Sequence, residues 1–515
     1  MRRSLAMFVV LAFVVVSAMF ERPAAAQEPE PGILDEVAAT LRQASPGTEG
    51  TVWRDTTGNR LPGAASDWLL QTPRCWGTIA CPDQVGTRKL LQTLTDEIAA
   101  ARVSVTITTL WPFADGGFET AIVEGLRRSL AAGNRPLVRW LGGSPFFYSY
   151  TGQGPDALRD KILADLGPVG AQLPIVVATM TTALQSWNHA KIVAVDGRRA
   201  IVGGHNMWAV DYLSPTPVSD LSMLAAGPAA EAANGFADIL WNYVCDRQAQ
   251  GFLSQLLWIR YSASGPVGGC PRTTPVRPPG TPGSTRILVV GRLGQGIAIP
   301  GTLGSPISDL IQLLCPGFRE DRADEARNPG LVAGRALIAA ADERLFISQQ
   351  DLLAMCPRSD PKTMAAIAGR IAAGVDTTIV VTGAFGTSYA NMDSLFNLSE
   401  ALFFVLNDQL DDPARAASLM CANLHLASVQ IGPDATWPNG KGFANHAKFI
   451  AVDDEVFKIG SNNLYPASLQ ELDFIVDDRA ALAQVRRIYL DPLWEWSRRD
   501  AIIDPDQGRC QIFGG

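Results

Sequence analysis

Histidine is scarce in this sequence, with only four among 515 residues. No Cys-x-x-Cys pair is present, and the cysteines and histidines form no cluster with zinc-ligand spacing. Because zinc sites are built from such clusters, the sequence predicts no metal and no other cofactor. Positive charge is also in the minority, with 43 lysines and arginines against 51 aspartates and glutamates and no basic run. The net formal charge of −8 argues against binding of long nucleic acids.

Long hydrophobic runs are absent apart from Leu5–Phe20, which follows Arg2 and Arg3 and precedes the small residues Ala24–Ala26. This order is typical of a signal peptide, residues 1–26, cleaved after the last alanine. A membrane anchor is the alternative, but the run is short for a bilayer span. Cleavage lowers the formal charge from −8 to −10. We therefore expect a secreted protein, extracellular or, in a host with an outer membrane, periplasmic.

Eight cysteines in an exported chain favour disulfide bonds over free thiols. Their order suggests pairs closed within each half of the chain, although order alone does not determine connectivity. The four suggested pairs are Cys75–Cys81, Cys245–Cys270, Cys315–Cys356 and Cys421–Cys510.

A stretch rich in proline and glycine, residues 271–286, cannot continue a helix or an inner strand. Since the chain is too long for one small core, we expect an N-terminal lobe at 27–270, this linker, and a C-terminal lobe at 287–515. Apolar strands and amphipathic helices recur in the same order on both sides. The predicted strands are Arg102–Thr109, Leu137–Leu141 and Pro174–Ala178, then Arg344–Ser348, Thr377–Thr382 and His425–Ile431. The predicted helices are Phe118–Ala132 and Met364–Ala373.

Two distant segments carry the same reactive residues at one spacing, H-x-K-x4-D-x6-G-[GS]-x-N. The first contains His189, Lys191, Asp196, Gly204 and Asn206, and the second contains His446, Lys448, Asp453, Ser461 and Asn463. Two imidazoles in one pocket can split a phosphodiester, one attacking phosphorus and the other protonating the leaving oxygen. The repeated strands and helices predict an α/β fold with two similar lobes about a pseudo-twofold axis. Both motifs would then share one cleft.

A histidine on an apolar strand is commonly a packed core residue, which is the alternative interpretation of His189 and His446. That alternative must also explain Lys191 and Lys448, because a lysine two positions along a strand shares the histidine's face. Buried lysines are costly without an anion, and a bound phosphate resolves the conflict in both motifs.

Four carboxylates near the motifs are predicted to have two different roles. Asp196 and Asp453 lie at a strand turn, away from the His-Lys face, and are expected to form a structural ion pair or to fix that turn. Asp220 and Glu471 follow their histidines by 31 and 25 residues. Each is expected to hold the far nitrogen of its own motif's imidazole and so to fix its tautomer.

His205 and His425 lack a lysine companion and are interpreted as packing or surface residues. Trp208, Tyr212 and Tyr389 are either core aromatics or ring faces for a quaternary ammonium group. Trp208 and Tyr212 directly follow the first Gly-Gly-x-Asn, where the chain should leave the floor of the cleft.

These motifs resemble the phospholipase D superfamily, whose signature is the duplicated H-x-K-x4-D pattern. Further segments resemble secreted actinobacterial phospholipases D, and the likeness extends over most of the mature chain. The segments that carry it are Ser186–Gly197, Gly203–Trp208, Ala226–Ala230, Ile347–Leu352 and Ile459–Pro466.

The resemblance implies a bilobal fold of two α/β/α sandwiches and hydrolysis of phosphatidylcholine-type lipids to phosphatidic acid and choline, with transphosphatidylation to alcohols. It implies no metal in the chemical step. His189 would form a phosphohistidine, and His446 would protonate the leaving choline and then activate water or alcohol. The near symmetry of the motifs leaves this assignment open from the residues alone.

The resemblance also assigns binding roles. The lysines and asparagines of both motifs would hold the phosphoryl oxygens, and Trp208, Tyr212 and Tyr389 would contact choline. The chain departs from the family in one position. Glu471 stands where these enzymes place an aspartate beside the second histidine, and Asp473 follows two residues later. Which of the two reaches the imidazole is left open.

Two rival functions use the same fold, an endonuclease or other phosphodiesterase of the superfamily and a non-catalytic lipid-binding protein. The acidic charge and the aromatic cluster argue against the first, and the two intact motifs argue against the second. A membrane-bound synthase would normally need spans that are missing after removal of residues 1–26. We expect a monomer that meets phospholipid at a membrane or micelle surface and does not bind nucleic acid. Apolar residues 144–149 are one candidate for lipid contact.

Overall fold

A computed structural model describes residues 31–63, 67–78, 80–145, 153–183, 186–278, 280–298, 322–354, 358–383 and 394–514. The predicted signal peptide, Tyr389, Cys315, Cys356 and most of the apolar stretch 144–149 lie outside these ranges. No helix within the described ranges is long and apolar enough to cross a bilayer.

The strands are numbered in chain order. They are β1 (Trp53–Asn59), β2 (Leu69–Thr72), β3 (Ser104–Leu110), β4 (Leu137–Gly143), β5 (Ile175–Ala183), β6 (Ser186–Trp187), β7 (Lys191–Val195), β8 (Arg199–Gly203), β9 (Asp220–Ala226), β10 (Ile259–Ser264), β11 (Thr285–Arg292), β12 (Arg344–Gln349), β13 (Asp376–Val381), β14 (Leu424–Ser428), β15 (Lys448–Val452), β16 (Val456–Gly460), β17 (Glu471–Asp477), β18 (Ile503–Asp504) and β19 (Arg509–Cys510).

The α-helices flank these strands. They are Ile33–Ala44, Val85–Ala99, Gly116–Ala131, Pro155–Leu166, Ala209–Tyr212, Pro228–Ala249, Phe252–Trp258, Arg322–Arg327, Pro329–Ala339, Pro361–Ala372, Leu395–Leu410, Pro413–Asn423, Arg479–Val485 and Asp491–Ser497.

The strands form two sheets with the same internal order. The first sheet runs β10-β5-β4-β3-β7-β8-β9-β2, with β6 paired to β5, and the second runs β1-β11-β17-β16-β15-β12-β13-β14-β18-β19. In the first sheet β3, β4 and β5 are parallel and β7, β8 and β9 antiparallel. Strands β12 to β17 repeat this arrangement in the second sheet. The predicted internal duplication and the α/β fold class are therefore confirmed.

Three apolar clusters set the layers of the molecule. The largest contains inward-facing residues of both sheets together with the helix Pro228–Ala249. Across this layer the ring of Trp68 stacks on Phe457 with centroids 5.9 Å apart. The outer face of each sheet is covered by its own helices, including Gly116–Ala131 on the first and Pro361–Ala372 on the second. Strands covered on both faces are expected to be apolar, as β7 and β15 are after the motif lysine that begins each of them.

The predicted boundary between the lobes is wrong for the first described residues. Strand β1 pairs with β11 of the second sheet, with Trp53 opposite Val290. The helix Ile33–Ala44 packs into the second sheet's outer cluster. The predicted linker 271–286 also overlaps the start of β11 at Thr285. Sequence order could not show this, because the turn pattern marks where the chain leaves one sheet and not which sheet a strand joins.

Three of the four suggested disulfide bonds are confirmed: Cys75–Cys81, Cys245–Cys270 and Cys421–Cys510. The fourth suggested pair lies outside the described residues and stays a prediction.

His425, interpreted above as a packing or surface residue, is a packed residue against Trp494 and also forms two ion pairs. Its Nε2 lies 3.2 Å from Asp376 and its Nδ1 lies 3.2 Å from Asp504. Burial lowers the pKa of His425, but the bond to Asp376 and the charges of both aspartates outweigh it and raise the pKa above the usual 6.5.

This histidine should make stability depend on pH. A raised folded-state pKa means that the stabilisation is fully present below pH 6.5 and is lost as pH rises through the raised value. We therefore expect His425→Gln to lower the melting temperature more at about pH 6 than at about pH 9. Thermal unfolding at the two pH values measures this, and Asp376→Asn should show the same trend. An equal loss at both values would contradict the ion-pair role.

Candidate active site

Each histidine motif is held by the backbone of the opposite half. The carbonyl of Gln470 accepts the backbone N–H of His189 at 2.7 Å, and the carbonyl of Ser219 accepts that of His446 at 2.7 Å. Gln470 directly precedes β17 and Ser219 directly precedes β9. The first residues of these two strands are therefore delivered to the histidine of the other half.

The carboxylates that orient the histidines are exchanged between the halves. Nδ1 of His189 lies 2.9 Å from Oε1 of Glu471, and Nδ1 of His446 lies 2.8 Å from Oδ2 of Asp220. The predicted residues are the ones used, but the predicted pairing within each motif is wrong. Sequence separation along one half carries no information about contacts made across the pseudo-twofold axis.

Asp473 does not reach either histidine. Its carboxylate accepts from Nζ of Lys458 at 3.0 Å and from the backbone N–H of Asn462 at 3.0 Å. The open choice between Glu471 and Asp473 is resolved in favour of Glu471, although its partner is His189 and not the second histidine.

The pKa values of the two imidazoles are lowered by the same surroundings. Burial, followed by the charges of Lys191 and Lys448, lowers the pKa of both His189 and His446 well below 6.5. The lysine of each motif lowers the pKa of the other motif's histidine, so the two motifs lie close together, as one shared pocket requires. With Nδ1 donating to a carboxylate, a neutral imidazole presents an unprotonated Nε2 to this pocket.

The two motif lysines are almost fully buried, Lys191 at 3% and Lys448 at 1% exposure. Nζ of Lys191 donates to the carbonyl of His189 at 2.7 Å, and Nζ of Lys448 donates to that of His446 at 2.6 Å. Burial lowers the pKa of Lys448 to about 8 and that of Lys191 well below 10.5. An anion between the lysines would offset their repulsion and stabilise both as cations.

The motif asparagines supply unused hydrogen-bonding groups. Asn206 and Asn463 are each 1% exposed, and neither their amide nitrogens nor their amide oxygens have a protein partner. An unpaired buried amide costs about 1–3 kcal/mol, so native proteins retain such groups chiefly where a ligand uses them. Two donors beside two lysines fit the equatorial oxygens of a phosphoryl group.

The small residues of the motifs leave room for the exchanged carboxylates. A Cβ on Gly204 would lie 2.0 Å from Oδ1 of Asp220, so a side chain there would displace the carboxylate from His446. The backbone of Gly204 also hydrogen-bonds the ring of His446, as the backbone of Ser461 does that of His189. Each imidazole therefore contacts two groups of the other half, a carboxylate and the backbone of that half's motif.

The comparisons with known proteins agree with the phosphodiester chemistry that this geometry favours. No family model matches the chain. Over 502 residues the chain is 39% identical to a phospholipase D from Streptomyces antibioticus, covering 93% of this chain and 90% of that protein. The chain belongs to the phospholipase D family. It is therefore a phosphodiesterase, a hydrolase of that family.

A solved structure shares the overall fold. The phosphatidylserine synthase of Haemophilus influenzae matches with a TM-score of 0.51 at 13% identity, covering 90% of this chain and 91% of that chain. At this identity the likeness shows the fold alone, and it agrees with the duplicated α/β arrangement described above.

The motif aspartates of this phospholipase D fold fix strand turns, as predicted. Asp196 has a positive φ of 55° and accepts the backbone N–H groups of Arg102, Val103 and Ser104 at 2.7–3.2 Å. Asp453 accepts three consecutive backbone N–H groups in the second half, those of residues 342–344. Both carboxylates anchor the end of the motif strand that is opposite to the histidine, so their role is structural.

Of the two interpretations of Tyr212, core aromatic or head-group contact, the structure favours the first. Its ring is fully buried and packs edge-on against Phe118. Its hydroxyl donates to Oδ2 of Asp220 at 2.6 Å. Tyr212 therefore supports the carboxylate that holds His446. The i, i+4 spacing from Trp208 suggested a shared face, but the helix Ala209–Tyr212 turns the tyrosine into the core.

Two other sequence interpretations are placed by the structure. Trp208 is buried, and its indole N–H donates to the carbonyl of Pro112 at 2.7 Å, so its contact with a head group stays a prediction. His205 is a packed residue as predicted, hydrogen-bonded to Thr72 at 3.0 Å and Ser222 at 2.7 Å.

Tyr212→Phe tests the supporting role. Loss of a hydrogen bond to a charged group should lower kcat on the order of tenfold while KM for the lipid stays constant, since the hydroxyl does not meet substrate. Steady-state kinetics on phosphatidylcholine micelles separate the two parameters. A raised KM with unchanged kcat would instead restore the head-group interpretation.

Sequence reasoning missed Arg292, the last residue of β11. Its Nη1 lies 3.4 Å from Oε2 of Glu471, and the residue is 4% exposed. The available signal was a charged residue closing the apolar strand ILVVGR, because an arginine on a buried strand needs an anionic partner.

Proposed function

We propose that this phospholipase D hydrolyses phosphatidylcholine-type glycerophospholipids to phosphatidic acid and choline through a phosphohistidine. The observation that carries the proposal is the pair of imidazoles, each with Nδ1 on a carboxylate of the other half, in one pocket with two buried lysines. A phosphodiester carries one negative charge, which suits a site with two lysines and unpaired amide donors.

The first chemical step forms the covalent intermediate. Nε2 of His189 attacks phosphorus, and the bond between phosphorus and the choline oxygen breaks. His446, protonated at Nε2, gives its proton to that oxygen, and choline leaves. The substrate's negative charge between the lysines raises the pKa of His446 toward the value that an acid catalyst needs.

The second step returns the enzyme to its starting state. His446, now neutral, takes a proton from water, and the resulting hydroxide oxygen bonds to phosphorus. The bond between phosphorus and Nε2 of His189 breaks, and phosphatidic acid leaves. A primary alcohol can replace water in this step, which yields a phosphatidyl alcohol.

During both steps the remaining motif residues stabilise charge. Lys191, Lys448, Asn206 and Asn463 hold the non-bridging oxygens, and Glu471 and Asp220 stabilise each imidazolium as it forms. These assignments need no metal ion and no organic cofactor. We also infer that the enzyme is exported after cleavage of residues 1–26 and acts as a monomer at a lipid surface.

Choline release from phosphatidylcholine vesicles, with ethanol added, tests the proposal. We expect both choline and phosphatidylethanol, because a covalent intermediate that is open to alcohol as well as water gives the second product. Release of choline without phosphatidylethanol would contradict the replacement of water by an alcohol in the second step. Cleavage of plasmid DNA at low salt without any choline release would replace the lipid substrate by nucleic acid.

A further inference from the structure

The two carboxylates that hold the histidines have different neighbours behind them. Oδ2 of Asp220 accepts a neutral hydroxyl, that of Tyr212. Oε2 of Glu471 instead faces a guanidinium group, with Nη1 of Arg292 at 3.4 Å. The two halves therefore share the motif residues but differ in the residue that contacts the orienting carboxylate.

The sheet register brings Arg292 to this position. Arg292 ends β11 and pairs directly with Glu471, the first residue of β17. Directly opposite residues on antiparallel strands carry their side chains on the same face. At the corresponding place in the first sheet, Thr72 of β2 pairs with Asp220. The hydroxyl of Thr72 hydrogen-bonds His205 and the carbonyl of Val218 rather than the carboxylate of Asp220.

Arg292 is held in place by burial and by contacts with the second motif's segment. It is 4% exposed, its Nη1 lies 3.4 Å from Oδ1 of Asn462, and its Nη2 donates to the carbonyl of Ala467. Asn462 and Ala467 belong to the segment between β16 and β17, which carries Ser461 and Asn463 of the second motif. The guanidinium thus joins β11, this motif segment and Glu471.

The cations around Glu471 oppose the effect of its burial. Burial raises the pKa of Glu471 to about 7, although Arg292, Lys191 and Lys458 all act to lower it. Asp473 raises it further. Other groups facing this carboxylate are His189, at 2.9 Å, and Tyr465, whose own pKa is raised by burial and, to a smaller extent, by the charge of Glu471.

Protonation of Glu471 would disable the proposed nucleophile. A neutral carboxyl group donates a hydrogen bond, so Nδ1 of His189 would become an acceptor and the ring proton would move to Nε2. An Nε2 that carries the proton has no lone pair with which to attack phosphorus.

We propose that Arg292 is a positioning residue that keeps Glu471 ionised and thereby keeps His189 in its reactive tautomer. The inference rests on the proposed role of His189 as nucleophile. It makes the first motif's histidine the one whose reactivity is set by a buried arginine–glutamate pair, whereas the second motif's histidine depends on an aspartate–tyrosine pair.

Arg292→Met tests the inference, because it removes the charge and keeps a long side chain. Choline release is measured across the pH range, and the acid limb of kcat/KM should move up by at least about one pH unit, a tenfold loss on that limb, with recovery at higher pH. Arg292→Lys keeps the charge and should shift the limb less. A loss of equal size at every pH in Arg292→Met would overturn the proposal and leave Arg292 a structural residue.

Arg139→Met is the matched control. Arg139, on β4 of the first sheet, is also a buried arginine and pairs with Asp238 of the helix Pro228–Ala249, whereas Glu471 belongs to the second sheet. The variant should lose stability and keep the acid limb of the wild-type enzyme. In a Glu471→Gln background, Arg292→Met should add little further loss of activity, because the charge it controls is already gone. Additive losses would contradict coupling between the two residues.

A second readout separates this inference from the proposed function. Nitrogen NMR of ¹⁵N-histidine-labelled protein reports the tautomer of each ring, and His189→Gln assigns the signal among the four histidines. At about pH 8, above the pKa of about 7 for Glu471, the wild-type His189 should carry its proton mainly on Nδ1, and Arg292→Met should shift it toward Nε2. An unchanged tautomer overturns the proposal even if the enzyme acts on a different phosphodiester. Absent choline release with the expected tautomer change would overturn only the substrate assignment.

Discussion

His189→Ala should eliminate choline release and His446→Ala should reduce it severely, yet only His446→Ala should still form the covalent intermediate. Removal of the nucleophile leaves no route to the phosphohistidine, so activity should fall by roughly 10⁴-fold or more. Removal of the acid should slow choline release by about 10²–10⁴-fold, because the alkoxide must then leave unprotonated.

A substrate with a good leaving group separates the two roles. Phosphatidyl-p-nitrophenol needs no proton on departure, so His446→Ala should release one equivalent of p-nitrophenol in a burst. The phosphatidyl group should then stay on His189, because the base that activates water is also missing. Rapid-quench kinetics measure the burst, and mass spectrometry of the peptide that contains His189 detects the adduct. A burst in His189→Ala, with the adduct on the other histidine, would reverse the assignment.

Replacement of the motif asparagines should lower activity and raise stability together. Asn206→Leu or Asn463→Leu removes a donor aimed at developing charge, which should lower kcat by about 10²–10³-fold. The same change removes two buried unpaired atoms, each of which costs about 1–3 kcal/mol, and the free energy of unfolding should rise. Kinetics on phosphatidylcholine and thermal unfolding of the same preparations test both effects.

Asn234→Leu is the matched control for this pair. Asn234 is 1% exposed and has an unpaired amide oxygen, but it lies within the helix Pro228–Ala249 and outside the motifs. Its replacement should leave kcat unchanged. If Asn206→Leu destabilised the fold, the amide would have a structural partner in solution, and its assignment to the phosphoryl group would fail.

Much of this architecture was predictable because it repeats. The predicted strand Arg344–Ser348 corresponds to β12, and the predicted helix Met364–Ala373 matches Pro361–Ala372 to within three residues at each end. Apolar alternation and glycine-proline punctuation are local, so a single sequence reveals them. The duplicated motif likewise identified its histidines, lysines and asparagines from spacing alone.

What the sequence could not reveal are contacts set by the axis between the halves. Glu471 was selected as an orienting carboxylate, but its partner is the histidine 282 positions away. Tyr212 and Arg292 hold carboxylates from behind, and nothing in their local sequence states which carboxylate they meet. Strand β1 joined the second sheet for the same reason, since pairing of distant strands depends on surfaces that local pattern does not describe.

The exchange of carboxylates has a consequence for biosynthesis. Until the ribosome has added Glu471, the nascent chain carries His189 without the group that gives it a usable tautomer. A product truncated before Glu471 would then contain an intact first motif and still lack the carboxylate that orients its histidine. The first motif therefore gains its orienting carboxylate only after the chain has been synthesised through Glu471 and has folded.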